Sequence, residues 1–196
     1  MIFATVCHGP VFTKRYAYQV NKVGKKDTVY VLTDCPELFP DCITIGYKEF
    51  MGYSHFTYYS KLLFLFYLLE QLKERVNYVD ADFLKINFNK DLITDNYSLF
   101  TNNVFTYVTE AFWSFPYLDN ISDITFRARE LQVRIEEIFA KDPSHWSGTP
   151  LKRYAETGVG FGEGTAMSAL VQEFNIPLQA VKYNKDLFSK KKLHIL

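Results

Sequence analysis

The sequence predicts a single α/β domain in which a mostly parallel central sheet is flanked by helices. Short apolar, β-branched segments alternate with helical patterns in the first half of the chain, which is typical of β-α units around a parallel sheet. The 196 residues include 48% hydrophobic and 17% aromatic side chains, enough for one well-buried core. No linker or internal repeat divides the sequence, so we expect one domain over residues 1–196.

The predicted strands of the first half are short runs rich in valine, isoleucine and threonine, and they cover residues 2–6, 28–33, 42–45 and 76–79. The strongest helix prediction covers residues 54–73, which contain no glycine or proline. Apolar residues, Phe56 and Leu63 among them, recur there near helical spacing. Because this segment is apolar on almost every side, we expect its helix to be buried.

The second half of the chain is predicted to hold two helices, a long loop and a strand. Residues 124–140 repeat apolar side chains on one face, which predicts an amphipathic helix. Residues 142–164 are rich in glycine and proline, which predicts a long loop. Thr165 then caps a helix that ends before Pro177, and a strand follows at residues 178–183.

Charge and composition argue against several function classes. The 22 basic and 22 acidic side chains give a formal net charge of zero, which disfavours general binding to nucleic acid or to anionic membranes. The longest apolar run, residues 62–69, is too short to cross a bilayer. Residues 1–6 lack the basic stretch of a signal peptide, so we expect a cytoplasmic protein. We expect reduced thiols, packed as small hydrophobes, at all three cysteines, Cys7, Cys35 and Cys42.

An acidic pair, Asp80 and Asp82, directly follows the predicted strand at residues 76–79. Residues i and i+2 of a strand point to the same side, and ligands of open α/β sheets bind at the carboxyl ends of parallel strands. There the two carboxylates would supply oxygen ligands to one divalent cation, which would in turn bind a diphosphate. The alternative for so short a motif is that the pair only caps a turn or solvates the end of a strand.

A resemblance to a known family is carried by two segments, Ser60-Lys61-Leu62 with its helix and Tyr78-Val79-Asp80-Ala81-Asp82. Further matches follow in the expected order: a small-residue turn after the first strand, Thr33-Asp34, Glu163-Gly164-Thr165-Ala166-Met167-Ser168, Val181-Lys182-Tyr183-Asn184, and His194. The chain resembles the glycosyltransferases with the GT-A fold, which is Rossmann-like. Within them it is most similar to the retaining group that includes glycogenin and the bacterial lipopolysaccharide galactosyltransferases. It departs from that group at Gly164, where members have glutamine.

This resemblance implies a metal-dependent hexosyltransferase that moves a sugar from a UDP-sugar donor to an acceptor. Residues 1–85 would form the nucleotide-sugar-binding half, and residues 86–196 the acceptor side and the C-terminal tail. The implied cofactor is Mn²⁺ or Mg²⁺. No motif identifies the acceptor as a glycan, a protein or a small molecule, and residues 96–123 and 142–162 would select it.

The resemblance also implies roles for individual residues. Asp82 would bind the metal directly, Asp80 would be shared between the metal and the ribose, and His194 would be a third metal ligand. Glu163 would bind sugar hydroxyls or stabilise an oxocarbenium-like centre. Lys61 would neutralise a phosphate oxygen, and uracil and ribose would be held by Val6, His8 and Asp34. The structural alternatives are an ordinary loop histidine at position 8, a surface glutamate at 163 and an inert terminal histidine at 194.

Two other functions compete with sugar transfer. The first is a metal-dependent phosphatase or phosphotransferase that uses the first aspartate of the pair as its nucleophile. Such enzymes usually place the pair after the first strand and follow it with glycine or threonine, whereas Phe83 follows it here. The second is a non-catalytic α/β nucleotide-binding or assembly protein. Nucleotide binding without turnover would identify it.

Overall fold

A computed structural model describes residues 1–57, 59–84, 97–101, 108–141, 163–176 and 178–182. The strands of this part of the chain are β1 (Ile2–Cys7), β2 (Thr28–Thr33), β3 (Ile43–Gly46), β4 (Val76–Val79), β5 (Tyr97–Thr101), β6 (Val108–Phe115) and β7 (Leu178–Lys182). Its helices are α1 (Pro10–Gly24), α2 (Tyr47–Met51), α3 (Tyr59–Leu72), α4 (Ile121–Lys141) and α5 (Glu163–Glu173).

The strands form one seven-stranded sheet in the order β3-β2-β1-β4-β6-β5-β7. β1 pairs in parallel with both β2 and β4, and β2–β3 and β5–β7 are parallel pairs as well. β6 is antiparallel to its neighbours β4 and β5. The predicted class is therefore confirmed: the chain is α/β, with a mostly parallel sheet flanked by helices, as in a Rossmann-like fold.

Both faces of the sheet are covered by helices. Because successive strand residues point to opposite faces, a central strand such as β1 contributes to two cores. On one face, Ala4 and Val6 of β1 belong to a cluster with the buried side of α3. On the other face, Phe3 and Cys7 of the same strand pack in a cluster with Val20 of α1. Helices on both faces explain why these strands read as nearly continuous apolar runs.

Helix α3 is the central helix of the larger core. Most of its residues, from Tyr59 to Leu69, are buried, as its nearly uniform apolar composition predicts. Phe66 meets Phe115 of β6 edge to face, with ring centroids 5.7 Å apart. The sheet side of the same core contains Trp113, which is fully buried against Tyr78 of β4.

The structure corrects the start of this helix. We predicted a helix from residue 54, but α3 begins at Tyr59 and Phe56 precedes it. Side chains bind the backbone of the preceding loop: the His8 ring is hydrogen-bonded to the Ser54 carbonyl, and the Thr57 N–H donates to the Tyr47 hydroxyl. These bonds occupy backbone groups that a longer helix would have used.

Other boundaries differ by a few residues. β2 and β4 have the predicted bounds, whereas α4 begins three residues before the predicted start. α5 begins at Glu163, so the predicted loop extends no further than residue 162. β5 and β6 lie largely within residues 96–123, for which the sequence predicted no element. Residues 142–162, Tyr183 and His194 lie outside the described part of the chain.

Within the described ranges, no helix has the length and apolar character that crossing a membrane requires.

Candidate functional site

The order of the strands creates a crevice beside β1. From β1 the chain runs through α1 to β2 and β3 on one side, and it later passes through α3 to β4 on the other side. α1 and α3 cover opposite faces of the sheet. At such a switch point the connections that leave the carboxyl ends of neighbouring strands diverge, and ligands of open α/β sheets bind in the gap between them.

A cavity of about 350 Å³ opens at this point, between the end of β1 and the end of β4. Its volume falls within the range of about 300–1,000 Å³ that is usual for small-molecule sites. It is lined by Val6, His8, Phe12, Phe56, Lys61, Asp80, Ala81 and Asp82. The structure thus brings together five of the residues that the sequence analysis assigned to donor and metal binding, although they come from three separate segments of the chain.

The acidic pair lies on a turn rather than on a strand. β4 ends at Val79, and the Asp80 carbonyl accepts hydrogen bonds from the N–H groups of Phe83 (2.8 Å) and Leu84 (2.9 Å). The pair directly follows β4, as predicted, but strand alternation does not determine where its carboxylates point, because the residues after Val79 form a turn. The turn nevertheless brings Asp80 and Asp82 to the same cavity.

Helix α1 holds this turn from behind. The side-chain amide of Gln19 donates a hydrogen bond to the carbonyl of Ala81, the residue between the two aspartates. Ala81 itself is buried, with 1% of its surface exposed. The turn is therefore bound both to its own backbone and to a neighbouring helix, and such support limits the movement of the two carboxylates.

One oxygen of Asp80 has two partners. Its Oδ1 lies 2.9 Å from Lys61 Nζ and accepts a hydrogen bond of 2.9 Å from the Tyr78 hydroxyl. The side chains of Lys61 and Asp80 are only 12% and 20% exposed. The ammonium group and the carboxylate therefore form an ion pair that water reaches only in part.

The turn after β1 joins the site to the end of β2. The Gly9 N–H donates to both carboxylate oxygens of Asp34, at 3.1 and 3.2 Å. Gly9 has a φ of +85°, which glycine adopts readily, and its carbonyl accepts from Thr13 in the first turn of α1. Asp34 is exposed and does not line the cavity. Its link to the site is the hydrogen bond from Gly9, the neighbour of the lining residue His8.

Aromatic rings form the wall on the side of His8. The His8 ring packs 4.3 Å from the Tyr47 ring and 5.7 Å from the Phe56 ring, measured between centroids. Its Nε2 is 2.8 Å from the Ser54 carbonyl oxygen, so this nitrogen carries a proton. Phe12 and Phe56, both in the lining, keep 39% of their surfaces exposed.

These two phenylalanines are site residues that the sequence did not predict. Phe56 was assigned to the apolar pattern of a helix that starts three residues after it. Phe12 lies in the first turn of α1, and no motif marked it. The proline at position 10, directly after Gly9, is a helix-start signal that would have placed Phe12 near the crevice.

The remaining predicted residues are not tested by the geometry. Glu163 is the first residue of α5, but its side chain lies outside the description, as does all of His194. The described residues contain no group of three or more His, Cys, Asp or Glu side chains arranged to hold a metal ion. Asp80 and Asp82 alone fit a hard cation that takes one or two carboxylates and completes its shell with phosphate oxygens and water.

Cys7 lies behind the site, at the last position of β1, and is fully buried. Burial is the main cause that raises the pKa of its thiol. The negative charges that Cys42, once ionised, and Asp80 place nearby raise it further. The group is therefore neutral at pH 7. It packs as a small hydrophobe, as the sequence predicts, and all three cysteines are free thiols.

No protein-family model and no curated protein matches this chain. Any ligand of the cavity therefore has to be inferred from the side chains that line it.

Proposed function

We propose that this chain is a glycosyltransferase of the GT-A type, which transfers a sugar from a nucleotide-diphosphate donor, a UDP-sugar, with Mn²⁺ or Mg²⁺ bound at Asp80 and Asp82. One observation carries the proposal: the acidic pair, Lys61 and His8 converge on one cavity at the switch point of a Rossmann-like sheet. This is the place where such sheets bind nucleotides.

The polar end of the cavity suits a diphosphate. Lys61 lies in the first turn of α3, where the partial positive charge of a helix N-terminus also favours anions. A cation bound to the two carboxylates would supply Lewis-acid stabilisation of the leaving diphosphate. The Lys61 ammonium group stabilises the same negative charge, which develops as the bond to the anomeric carbon breaks.

The opposite end suits a nucleoside. The exposed faces of Phe12 and Phe56 offer flat apolar surfaces on which a base stacks. The carboxylate of Asp34, held by the Gly9 N–H, accepts hydrogen bonds from ribose hydroxyls. Val6 adds an apolar side chain to the lining of the same cavity. A donor in this orientation places its sugar beyond the diphosphate.

The acceptor side of the proposal rests on the resemblance alone. Glu163 remains the carboxylate that we propose for binding the sugar, and His194 remains the proposed third metal ligand. A retaining outcome follows from the same resemblance.

Isothermal titration of UDP with and without Mn²⁺ tests the proposal directly. We expect Mn²⁺ to raise the affinity for UDP in the native protein and to have little effect in Asp82→Asn, which loses roughly tenfold or more of the Mn²⁺-dependent affinity because one carboxylate ligand is gone. Asp123→Asn, an exposed aspartate of α4, is the matched control and leaves UDP binding unchanged. Equal, metal-independent UDP affinity in the native protein and in Asp82→Asn would contradict the assignment.

A panel of nucleotide sugars then separates the enzyme from its rivals. We expect slow metal-dependent hydrolysis of at least one donor to UDP and free sugar, detected as released UDP. Tight UDP binding with no hydrolysis of any donor would favour the non-catalytic nucleotide-binding protein. Hydrolysis of p-nitrophenyl phosphate that disappears in Asp80→Asn would favour the phosphatase.

A further inference from the structure

We propose that Lys61 is the resident counterion of Asp80 and is exchanged for the divalent cation when the donor binds, so that cation and diphosphate bind cooperatively. The inference rests on the proposed function and specifies how its site is loaded. In the free protein Lys61 pairs with Asp80. In the loaded protein Lys61 pairs with the diphosphate, and Asp80 with the cation.

The contacts of the Asp80 carboxylate favour an exchange of Lys61 for the cation. A carboxylate oxygen has two lone pairs, and Oδ1 of Asp80 already contacts the Lys61 ammonium group and the Tyr78 hydroxyl, each at 2.9 Å. A cation that binds this oxygen therefore has to displace one of them, and a cation that binds only the second oxygen, Oδ2, still lies close to the Lys61 ammonium group, which repels it. Because Tyr78 is fully buried, and Lys61 has a flexible side chain that lines the cavity, Lys61 is the partner that leaves.

The second argument is the position of Lys61 on its helix. Lys61 is the third residue of α3, and a positive charge in the first turn opposes the helix dipole. No acidic residue of that turn compensates it. The side chain therefore depends on an anion from elsewhere, and in the free protein Asp80 is such an anion. A diphosphate in the cavity takes over this role with a larger negative charge.

The third argument is the balance of charge in the cavity. A divalent cation that binds without a diphosphate is repelled by the Lys61 ammonium group, which already occupies the Asp80 carboxylate. A diphosphate that binds without a cation is repelled by the carboxylates of Asp80 and Asp82. When both arrive, each charge has an opposite partner. Since coupling between two ligands is reciprocal, UDP raises the affinity for Mn²⁺ by the same factor by which Mn²⁺ raises the affinity for UDP.

The test measures Mn²⁺ binding by electron paramagnetic resonance, with Mn²⁺ alone and with saturating UDP, in the native protein and in Lys61→Met. Methionine keeps much of the apolar stem and removes the charge. In the native protein we expect UDP to raise the Mn²⁺ affinity roughly tenfold or more. In Lys61→Met we expect Mn²⁺ alone to bind several-fold tighter than in the native protein, and the effect of UDP to shrink. Lys48→Met, an exposed lysine of α2, is the matched control and leaves both affinities unchanged.

The outcomes separate this inference from the function on which it rests. If native protein binds UDP and Mn²⁺ together, but Lys61→Met binds Mn²⁺ alone no tighter than the native protein, the exchange is overturned and the glycosyltransferase proposal stands. If the native protein binds neither UDP nor Mn²⁺, both proposals fail. Lys61→Gln provides a second variant should Lys61→Met not fold, which circular dichroism reports, and the same rise in Mn²⁺ affinity is expected from it.

Discussion

Two phenylalanines illustrate how the surroundings of a residue decide its energetic role. Phe66 of α3 is fully buried against Phe115, whereas Phe126 of α4 is 65% exposed. We expect Phe66→Ala to lower the free energy of unfolding by about 3–5 kcal/mol, because it leaves a cavity in the core. The same substitution at Phe126 should change it by no more than about 0.5 kcal/mol. Urea denaturation followed by circular dichroism measures both, and equal losses would contradict the core assigned to α3.

At the same scale, the sequence identified the charged part of the candidate site better than the apolar part. Asp80 and Asp82 were identified because an acidic pair follows a strand-like run, and Lys61 was identified through the resemblance to a known family; all three line one cavity. Phe12 was missed because its one local signal, the helix start at Pro10, places the residue near the crevice only once the order of the strands is known. The Gln19 contact to the Ala81 carbonyl joins residues 62 positions apart, and only the packing of α1 against the turn reveals it.

At the scale of elements, the end of α1 is packed closely against the loop before β3. A Cβ atom on Gly24 would clash with the Asp41 carbonyl oxygen and would lie 2.8 Å from Cys42 Sγ. Alanine is normally favoured over glycine in a helix by about 1 kcal/mol. Here we expect Gly24→Ala to destabilise the protein by about 1–3 kcal/mol, because a backbone atom has to move.

Gly46→Ala is the control for this prediction. A Cβ atom at Gly46 would meet only the flexible end of the Glu49 side chain, so we expect a change in unfolding free energy of about 0.5 kcal/mol or less. Thermal unfolding of both variants measures the difference. A Gly24→Ala protein as stable as the native one would contradict the close contact between α1 and the loop.

The elements that the sequence predicted are those whose pattern is local. β2 and β4 are compact β-branched runs, and the helical pattern of α3 needs no knowledge of its neighbours. β6 is different: it pairs with β4 in antiparallel register, Val79 opposite Phe112, across more than thirty residues. Its mixed aromatic and polar sequence, VTEAFWSF, gains its strand conformation from that long-range pairing.

At the scale of the whole molecule, the half-buried thiol of Cys42 makes stability depend on alkaline pH. Burial, and after it the charge of Asp41, raises the pKa of Cys42 from 9.0 to about 11. A group whose pKa is raised by folding contributes stability below its unfolded pKa and loses that contribution as pH rises through the folded value. The Cys42 contribution is therefore present at pH 7 and declines above about pH 9.

Comparison of the native protein with Cys42→Ala isolates this effect. Between pH 8 and pH 10 we expect the difference in unfolding free energy to move in favour of Cys42→Ala by roughly 1 kcal/mol, because only the native protein has to retain a protonated thiol at this position. Urea midpoints at a series of pH values measure it. Parallel pH profiles for the two proteins would contradict the raised pKa of Cys42.

The central place of β1 in the sheet affects how the chain is made. Of the described strands, β1 is synthesised first, and β2 covers one of its edges after about twenty further residues. Its other edge stays unpaired until β4 is synthesised, when Phe3 of β1 pairs with Asn77 of β4. In that interval a nascent chain carries an apolar strand with an open row of backbone hydrogen-bonding groups, which is a template for self-association. Synthesis of β4 closes that edge and also adds the acidic turn, so the cavity at the end of β1 is completed in the same step that ends this exposure.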